Sequence, residues 1–217
     1  MIMNIDVNIV LYILKGAEAT LKIFAMTLIF SIPIGTICAI GKVSGGAVIK
    51  AILDFYTWLI RGTPLMLQLL FVFYGLPALF SIKFDARITA AYVAFIINYG
   101  AYFTEIFRGG IQSIDKGQFE AAKALGMSYP QTMWRIVIPQ ALKNSLPPLG
   151  NEVITLIKDT SLALVIAVPE IIRHTREVVS AQVSPEAFFV AAVIYLCLAY
   201  GVVLLFKFLE KKLGYYD

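Results

Sequence analysis

Five charged side chains interrupt stretches of the sequence that are otherwise apolar, and they have the greatest capacity for chemistry. They are Arg61, Glu105, Glu152, Lys158 and Asp159. The stretches are long enough to lie in a membrane, where a charge at mid-bilayer costs about 2.5 to 3.5 kcal/mol on insertion scales. Each charge therefore needs an oppositely charged partner or a wet cavity. Charges held in this way either tie helices together or bind a charged ligand.

Helical spacing leaves two interpretations of these charges open. Glu152 and Asp159 are seven residues apart and share a face if their helix is continuous. One interpretation is structural: Arg61 pairs with Glu152 or Asp159, and Glu105 reaches out to water from near a helix end. The other is that the same side chains contact a ligand.

Two uncharged polar residues accompany the charges. Thr63 follows Arg61 by two positions, and Asn98 precedes Glu105 by seven, so Asn98, Tyr102 and Glu105 form one stripe of a helix. An interhelical hydrogen bond and a contact with a ligand are equally good interpretations of Thr63 and Asn98.

The sequence lacks the patterns that carry enzymatic chemistry. It contains no glycine-rich phosphate loop with its lysine, and no nucleophile with a base at a recognisable spacing. The single histidine, His174, cannot form a metal site alone, and Cys38 and Cys197 both lie inside apolar runs. We expect no enzymatic activity, metal site or cofactor in this chain.

The composition indicates a polytopic membrane protein. Of 217 residues, 59% are hydrophobic and only 15% are charged, which is far outside the range of a soluble domain. We predict an all-α protein with one transmembrane domain and about five spans, at residues 19–40, 51–80, 88–107, 142–168 and 187–208. Residues 5–16 are predicted to lie along the membrane surface. The sequence Arg61-Gly62-Thr63-Pro64 is predicted to kink or break the second span.

A polar interruption at residues 116–141 separates the third span from the fourth. Asp115 and Ser128 each begin a capping-box pattern, which predicts two short helices. Gly126 is placed to end the first helix, because glycine adopts the left-handed conformation without a side-chain clash. Pro139 is predicted to end or kink the second helix.

The distribution of basic residues orients the five spans. One side would carry Lys42, Lys50, Arg108, Lys116, Lys123, Arg135, Lys143, Lys207, Lys211 and Lys212, and the other Lys15, Lys22, Lys83, Arg87, Arg173 and Arg176. Because cytoplasmic loops retain the excess of Lys and Arg, this predicts the N-terminus outside and the C-terminus in the cytoplasm.

The polar interruption resembles the EAA loop of membrane permeases from ATP-binding-cassette (ABC) importers. The matching residues are Glu120, Ala121, Ala122 and Gly126, followed by Ile136, Ile138 and Pro139, with Ile138 where leucine is usual. Three stretches resemble the polar amino acid branch of these permeases, the histidine, arginine, glutamine and glutamate type. They are RGTPLMLQLLFVFYGLP, NYGAYFTEIFRGGIQSIDKGQFEAAKALGM and KDTSLALVIAVPEI.

The resemblance implies a type I importer in a bacterial cytoplasmic (inner) membrane. Its expected partners are two cytoplasmic ATPase subunits, a second permease subunit, most simply an identical copy, and an extracytoplasmic amino-acid-binding protein. The ATPase would bind ATP and magnesium and would grip the EAA loop through Glu120, Ala121, Ala122, Gly126 and Pro139. A nucleic acid partner is not expected.

The charge count inside the predicted bundle suggests a substrate class. Glu105, Glu152 and Asp159 outnumber Arg61 and Lys158, so a cavity lined by them would carry excess negative charge. This favours arginine, lysine or histidine as the substrate.

A division of roles follows from the same residues. Arg61 with Thr63 would take the carboxylate, Asp159 the α-ammonium group, and Glu152 with Asn98 the side-chain cation. The nearest alternative is the same type of importer carrying glutamine or glutamate. An ion-coupled secondary transporter or channel is a further alternative, and a membrane enzyme is disfavoured by the missing catalytic pattern.

Overall fold

The computed structural model describes residues 6–182 and 185–213, and the regular elements in these ranges are all helical. The helices are α1 (Val7–Ser44), α2 (Ala47–Arg61), α3 (Leu65–Leu70), α4 (Leu76–Phe80), α5 (Arg87–Gln112), α6 (Lys116–Ala124), α7 (Tyr129–Thr132), α8 (Ile138–Asp159), α9 (Ile171–Gln182) and α10 (Glu186–Leu213). π-Helical turns at Phe71–Gly75 and Met133–Val137 join α3 to α4 and α7 to α8, and a 3-10 helix at Thr160–Ile166 follows α8.

Within the described ranges, two helices, α1 and α10, are long and apolar enough to cross a membrane. The pair formed by Ala47–Arg61 and Leu65–Phe80 is a third candidate, and it is bent by 101° at the intervening residues. The predicted break of the second span is therefore present. Helix α5 occupies the third predicted span, while α8 ends at Asp159 and a 3-10 helix, Thr160–Ile166, fills most of the remainder of the fourth. Neither α5 nor α8 is among these candidates in the described ranges, and their crossing of the membrane stays a prediction.

Helix α1 begins earlier than the sequence analysis predicts. It is continuous from Val7 to Ser44, so no break separates residues 7–16 from the predicted first span. That these residues lie along the membrane surface stays a prediction, and residue 5 lies outside the described ranges. This N-terminal part of α1 packs closely on the start of α9. A Cβ atom on Gly16 would lie 2.6 Å from the backbone of Glu170, so the glycine lets the two segments touch.

Helix α5 lies at the centre of the fold and packs against α1, α2, α3 and α8. Its contact with α1 is close because small residues face larger ones: a Cβ atom on Gly35 would lie 2.6 Å from the Cβ of Phe103. Ser31 Oγ donates to the carbonyl oxygen of Ile96, 3.1 Å away. Small residues and interhelical hydrogen bonds are typical of helix packing in membranes.

A buried carboxyl group, Glu170, begins α9. Its side chain is 0% exposed and accepts hydrogen bonds from the backbone N–H groups of Ile172 and Arg173 and from Tyr195 Oη. Burial raises the pKa of Glu170 from 4.5 to about 7 although these hydrogen bonds lower it. Residues 169–186, predicted only as a region of mixed polarity, thus contain a capped helix.

Candidate functional site

The break between α2 and α3 is held by a network of amide hydrogen bonds. Pro64 precedes α3, and its missing N–H prevents α2 from continuing through it. Gln68 Nε2 donates to the carbonyl oxygens of Ile60 at 2.8 Å and Thr63 at 3.2 Å, and to Thr63 Oγ1 at 2.8 Å. These bonds satisfy carbonyl groups that the end of α2 leaves free. Asn98 Nδ2 donates to Gln68 Oε1 at 2.9 Å, which fastens the break to α5.

This network gives Thr63 and Asn98 a structural role. Asn98 is only 4% exposed and its amide nitrogen is bound to Gln68. Thr63 Oγ1 accepts from Gln68 and donates to the carbonyl oxygen of Leu59 at 3.0 Å. Gln68 was missed in the sequence, where the available signal is a polar residue inside the apolar run LMLQLLFVF.

Arg61, the last residue of α2, faces α5. Its guanidinium lies 5.3 Å from the ring centroid of Tyr102, and Nη1 lies 3.9 Å from Oε2 of Glu105. The predicted pairing with Glu152 or Asp159 is therefore wrong. Helix α2 packs beside α5, so the nearest acid comes from α5 and not from α8.

Glu105 is bonded to cations from two helices. Its side chain is 15% exposed, and Oε1 accepts from Lys42 Nζ at 2.5 Å. Oε2 accepts from Arg108 Nε at 2.9 Å and Nη2 at 2.7 Å. The prediction that Glu105 reaches out to water is wrong, because the end of α1 brings Lys42 over it.

Asp54 completes a group that we name the Glu105 ion cluster: Lys42, Asp54, Arg61, Glu105 and Arg108. Lys42 Nζ lies 2.7 Å from Asp54 Oδ1, and its side chain is 7% exposed. The cluster lines an open cavity of about 650 Å³ together with Thr57, Trp58, Gly62 and Gln112. Three cations against two acids leave it one positive charge in excess, so Glu105 does not add to a negative cavity.

The sequence indicates only one pair of this cluster. Glu105 and Arg108 stand at i,i+3 spacing, which favours a helical ion pair. Lys42 and Arg108 were instead counted as loop charges in orienting the spans. Asp54, inside an apolar stretch, was not singled out.

Toward α8, Asp159 is held by a buried tyrosine of α5. Tyr99 is 1% exposed, and its Oη donates to Asp159 Oδ2 at 2.8 Å. Helix α8 is continuous through Pro147 and Pro148, so Glu152 and Asp159 share a face as predicted.

Two tyrosines of α5 connect the two sides. Arg61 lies over the ring of Tyr102, whose centroid is 6.1 Å from that of Tyr99, and Tyr99 is bonded to Asp159. The candidate residues thus form one group at the α2 break and another on α8, with aromatic rings between them.

Helix α8 also presents an exposed polar stripe that sequence reasoning did not identify. Its exposed members are Gln140, Asn144, Asn151 and Lys158. Spacings of four and seven residues place them on one face of the helix. Exposed amides and a charge on a helix of a membrane protein face water or another protein chain and not lipid.

In the EAA loop, α6 begins at the predicted cap Asp115 and ends at Gly126 as predicted, but among the described hydrogen bonds Gln118 does not complete the predicted capping box. The carboxylate of Asp115 accepts from the backbone N–H of Gly117 at 2.6 Å. Gly126 has φ of +73°, and this left-handed residue lets the N–H of Met127 reach the carbonyl oxygen of Ala122 at 3.0 Å. The arrangement is a Schellman motif, as predicted for a helix ending in glycine.

The predicted contact residues of α6 point in different directions. Ala122 is 0% exposed, while Glu120 and Ala121 are exposed. Leu125 is 79% exposed, which is unusual for a leucine on an otherwise polar segment. The outward surface of α6 is therefore small and flat around Ala121, with one acid and one large apolar side chain beside it.

Helix α7 is anchored to the end of α1. Ser128 and Gln131 form the predicted capping box, with Gln131 Oε1 accepting from the N–H of Ser128 at 2.9 Å. Tyr129 Oη and Ser44 Oγ are 2.8 Å apart and share a hydrogen bond. Trp134 is 69% exposed. The EAA loop is thus a folded surface fixed to the bundle.

Of the two predicted effects of Pro139, ending or kinking the second helix, the ending does not occur. The backbone is helical from Tyr129 to Asp159, with the π-helical turn Met133–Val137 immediately before the proline. The wider turn accommodates a residue that has no N–H to donate and whose ring crowds the preceding carbonyl group.

A family model described as "Binding-protein-dependent transport system inner membrane component" matches residues 31–215. The chain belongs to this family. The resemblance of the EAA loop to that of ABC importer permeases is therefore confirmed.

Relatives of this permease match it over nearly their whole length. The arginine transport system permease protein ArtQ of Bacillus subtilis is 38% identical, over 97% of this chain and 98% of that protein. The glutamine transport system permease protein GlnP of Escherichia coli is 37% identical, over 93% of this chain and 92% of that protein.

Two solved structures share the fold of this permease. A crystal structure of an amino acid ABC transporter with histidines superposes with a TM-score of 0.87 at 34% identity, covering 97% of this chain and 100% of that chain. The MetNI methionine ABC transporter, at 13% identity and a TM-score of 0.74, supports the fold alone. The expected fold class, an all-α membrane protein with the type I importer permease fold, is confirmed. Members of the family are membrane permease subunits, which are in general not catalytic.

Proposed function

We propose that this permease forms the translocation pathway of an ATP-driven importer for polar, and specifically basic, amino acids. The observation that carries the proposal is the exposed polar stripe of α8. Gln140 lies outside the predicted fourth span and Asn144 Nδ2 donates to Ser113 Oγ at 2.8 Å, but Asn151 and Lys158 lie within the span, where exposed polar side chains are costly against lipid and favourable against water. A second copy of the permease opposite this face would enclose an aqueous path.

The preference for arginine, lysine or histidine is supported by the acids that remain available. Glu105 is neutralised within its ion cluster, but Glu152 and Asp159 stand together on α8, and Lys158 is exposed beside them. The relative named as an arginine permease agrees with this preference. Relatives named as glutamine permeases favour the rival substrate.

The observed contacts assign each group of the amino acid substrate to a different side chain in this proposal. Arg61 takes the α-carboxylate, Asp159 the α-ammonium group and Glu152 the side-chain cation. Thr63 and Asn98 act by holding the α2 break through Gln68, which positions Arg61. In this proposal they orient the site and need not touch the substrate.

The partners follow from the family and the EAA loop. Two ATPase subunits bind ATP and magnesium and grip the exposed surface of α6, while this chain contributes no cofactor. A binding protein delivers the amino acid from outside the bacterial cytoplasmic membrane, and two identical permease copies enclose the path. The N-terminus lies outside and the C-terminus in the cytoplasm.

Competition in proteoliposomes tests the proposal. The permease would be reconstituted with its ATPase and binding protein, with ATP on the ATPase side, and uptake of labelled arginine measured against each unlabelled amino acid. We expect arginine, lysine and histidine to compete. Competition by glutamine or glutamate alone would overturn the substrate class, and uptake that follows an ion gradient without ATP would identify a secondary transporter.

A substitution in α8 tests whether the permease itself, and not only the binding protein, selects the substrate. Glu152→Gln should lower uptake of cationic amino acids roughly tenfold more than uptake of glutamine, since a charge-assisted hydrogen bond contributes about 1.5 to 3 kcal/mol. Glu18→Gln removes an acid from an exposed pair with Lys22 and should change neither. Equal effects of Glu152→Gln on all substrates would refute its assignment to the side-chain cation.

A further inference from the structure

Glu105 joins three helices by ionic contacts. Both of its oxygens are used: Oε1 by Lys42 of α1, and Oε2 by Arg108 of α5, with Arg61 of α2 at 3.9 Å from Oε2. The side chain is 15% exposed, so water replaces few of these contacts. Few single side chains in the described bundle could affect α1, α2 and α5 together in this way.

The charges around Glu105 depend on it. Lys42 is 7% exposed and also contacts Asp54 and Thr57, so it would retain one acid if Glu105 were neutral. Arg61 and Arg108 approach no other acid within 4.0 Å in the part of the chain that the structure describes. Neutralising Glu105 would remove the acid that both arginines approach, and they could then move apart.

The same end of α1 contacts the EAA loop. Lys42 and Ser44 both lie in its last turn, two residues apart and therefore on opposite sides of the helix. Ser44 bonds to Tyr129 of α7, and Val43 packs on the apolar cluster that contains Met133. A displacement of the loop therefore moves the helical turn that carries Lys42.

The other end of this connection is the proposed substrate path. Arg61 ends α2 immediately before the 101° bend, and it lies over Tyr102. If Lys42 and Glu105 move with α1 and α5, the ion cluster carries Arg61 with them. Such contacts couple two sites only if both sites change the equilibrium between two arrangements of the same structural element.

We propose that Glu105 is a positioning residue that transmits the movement of the EAA loop to Arg61, and so links ATP hydrolysis to opening of the path. This inference rests on the proposed function. The Lys42–Glu105 contact carries the displacement, and Arg61 responds to it without any contact between Glu105 and the substrate.

The test measures transport per ATP hydrolysed. In proteoliposomes with ATPase and binding protein, Glu105→Gln should leave ATP hydrolysis within about twofold of the wild type and lower arginine uptake per ATP by roughly 2- to 30-fold, the range of residues that modulate coupling. Lys42→Met should act in the same direction, and the double variant should be little worse than either single one. Glu18→Gln, which removes an exposed acid from α1, is the matched control.

A second variant keeps the test informative if the first one fails to assemble with the ATPase. If Glu105→Gln does not copurify with the ATPase, Glu105→Asp, which keeps the charge and shortens its reach, should assemble and show a smaller decrease in uptake per ATP. The inference would be overturned if the assembled variants took up as much arginine per ATP hydrolysed as the wild type. It would also be overturned if ATP hydrolysis and uptake fell by the same factor. A wild-type complex without ATP-driven uptake would instead overturn the proposed function on which the inference rests.

Discussion

Gly126 offers the sharpest test of how the EAA loop works, because its substitution has one structural consequence. The residue has φ of +73°, and a Cβ atom there would meet nothing within 4 Å. A side chain would therefore clash with no neighbour. The whole cost of Gly126→Val comes from the backbone conformation, which a β-branched residue rarely adopts.

The magnitude follows from this conformation and the bonds that depend on it. The left-handed conformation costs an ordinary residue about 1 to 2 kcal/mol. The alternative is to lose the turn, with the hydrogen bonds from Met127 N–H to Ala122 and from Gly126 N–H to Lys123, each contributing about 1 kcal/mol. The chain takes the cheaper of these two alternatives, so a cost of about 1 to 2 kcal/mol predicts ATPase binding that is weaker by about 5- to 30-fold.

The assay is titration of purified ATPase onto the permease in lipid nanodiscs. Gly126→Asn should bind within about threefold of the wild type, because asparagine tolerates the left-handed region. Gly109→Ala is the matched control: Gly109 lies within α5, also has open space at its Cβ position, and should be neutral or stabilising. The reasoning would be refuted if Gly126→Val bound the ATPase with wild-type affinity, or if Gly126→Val and Gly126→Asn lost the same amount of affinity.

Two further predictions concern charged groups. Arg61→Ala should lower uptake at least tenfold, by loss of about 1.5 to 3 kcal/mol of charge-assisted bonding, while the ATPase still copurifies; undiminished uptake in the vesicle assay would remove Arg61 from the path. Glu170 has a pKa raised by burial to about 7 from 4.5, so the folded protein binds this proton more tightly, and its stability should rise by about 2 kcal/mol from about pH 8 to about pH 5.5. Thermal unfolding in detergent should show this rise in the wild type and not in Glu170→Gln, and an equal rise in both would contradict it.

Features set by local backbone rules were predictable from the sequence. The end of α6 at Gly126, the capping box at Ser128 and the break before Pro64 each depend on a few adjacent residues. Such rules hold wherever the segment lies in the fold. Pro139 shows their limit, because the π-helical turn Met133–Val137 absorbs the proline without ending the helix.

The choice of partners was not predictable, because it depends on which helices become neighbours. From the sequence alone, Arg61 could pair with any acid in the bundle. In the structure α2 packs beside α5, and Glu105 of α5 is therefore the acid near Arg61. Lys42 looked like a loop charge because it stands at the end of α1, yet the turn into α2 buries it against Glu105 and Asp54. Spacing within one helix carries no information about either contact.

The two sides of α5 together suggest how a zwitterion would be oriented. Toward α2, the Glu105 ion cluster has one positive charge in excess, and Arg61 is its most exposed cation, with 44% of its side chain accessible. Toward α8, the carboxyl groups of Glu152 and Asp159 lie on one face of that continuous helix. A carboxylate is therefore attracted to the α2 side and an ammonium group to the α8 side. Under the proposed function, a second cationic group on the substrate would meet Glu152, which lies seven residues before Asp159 on the same face of α8.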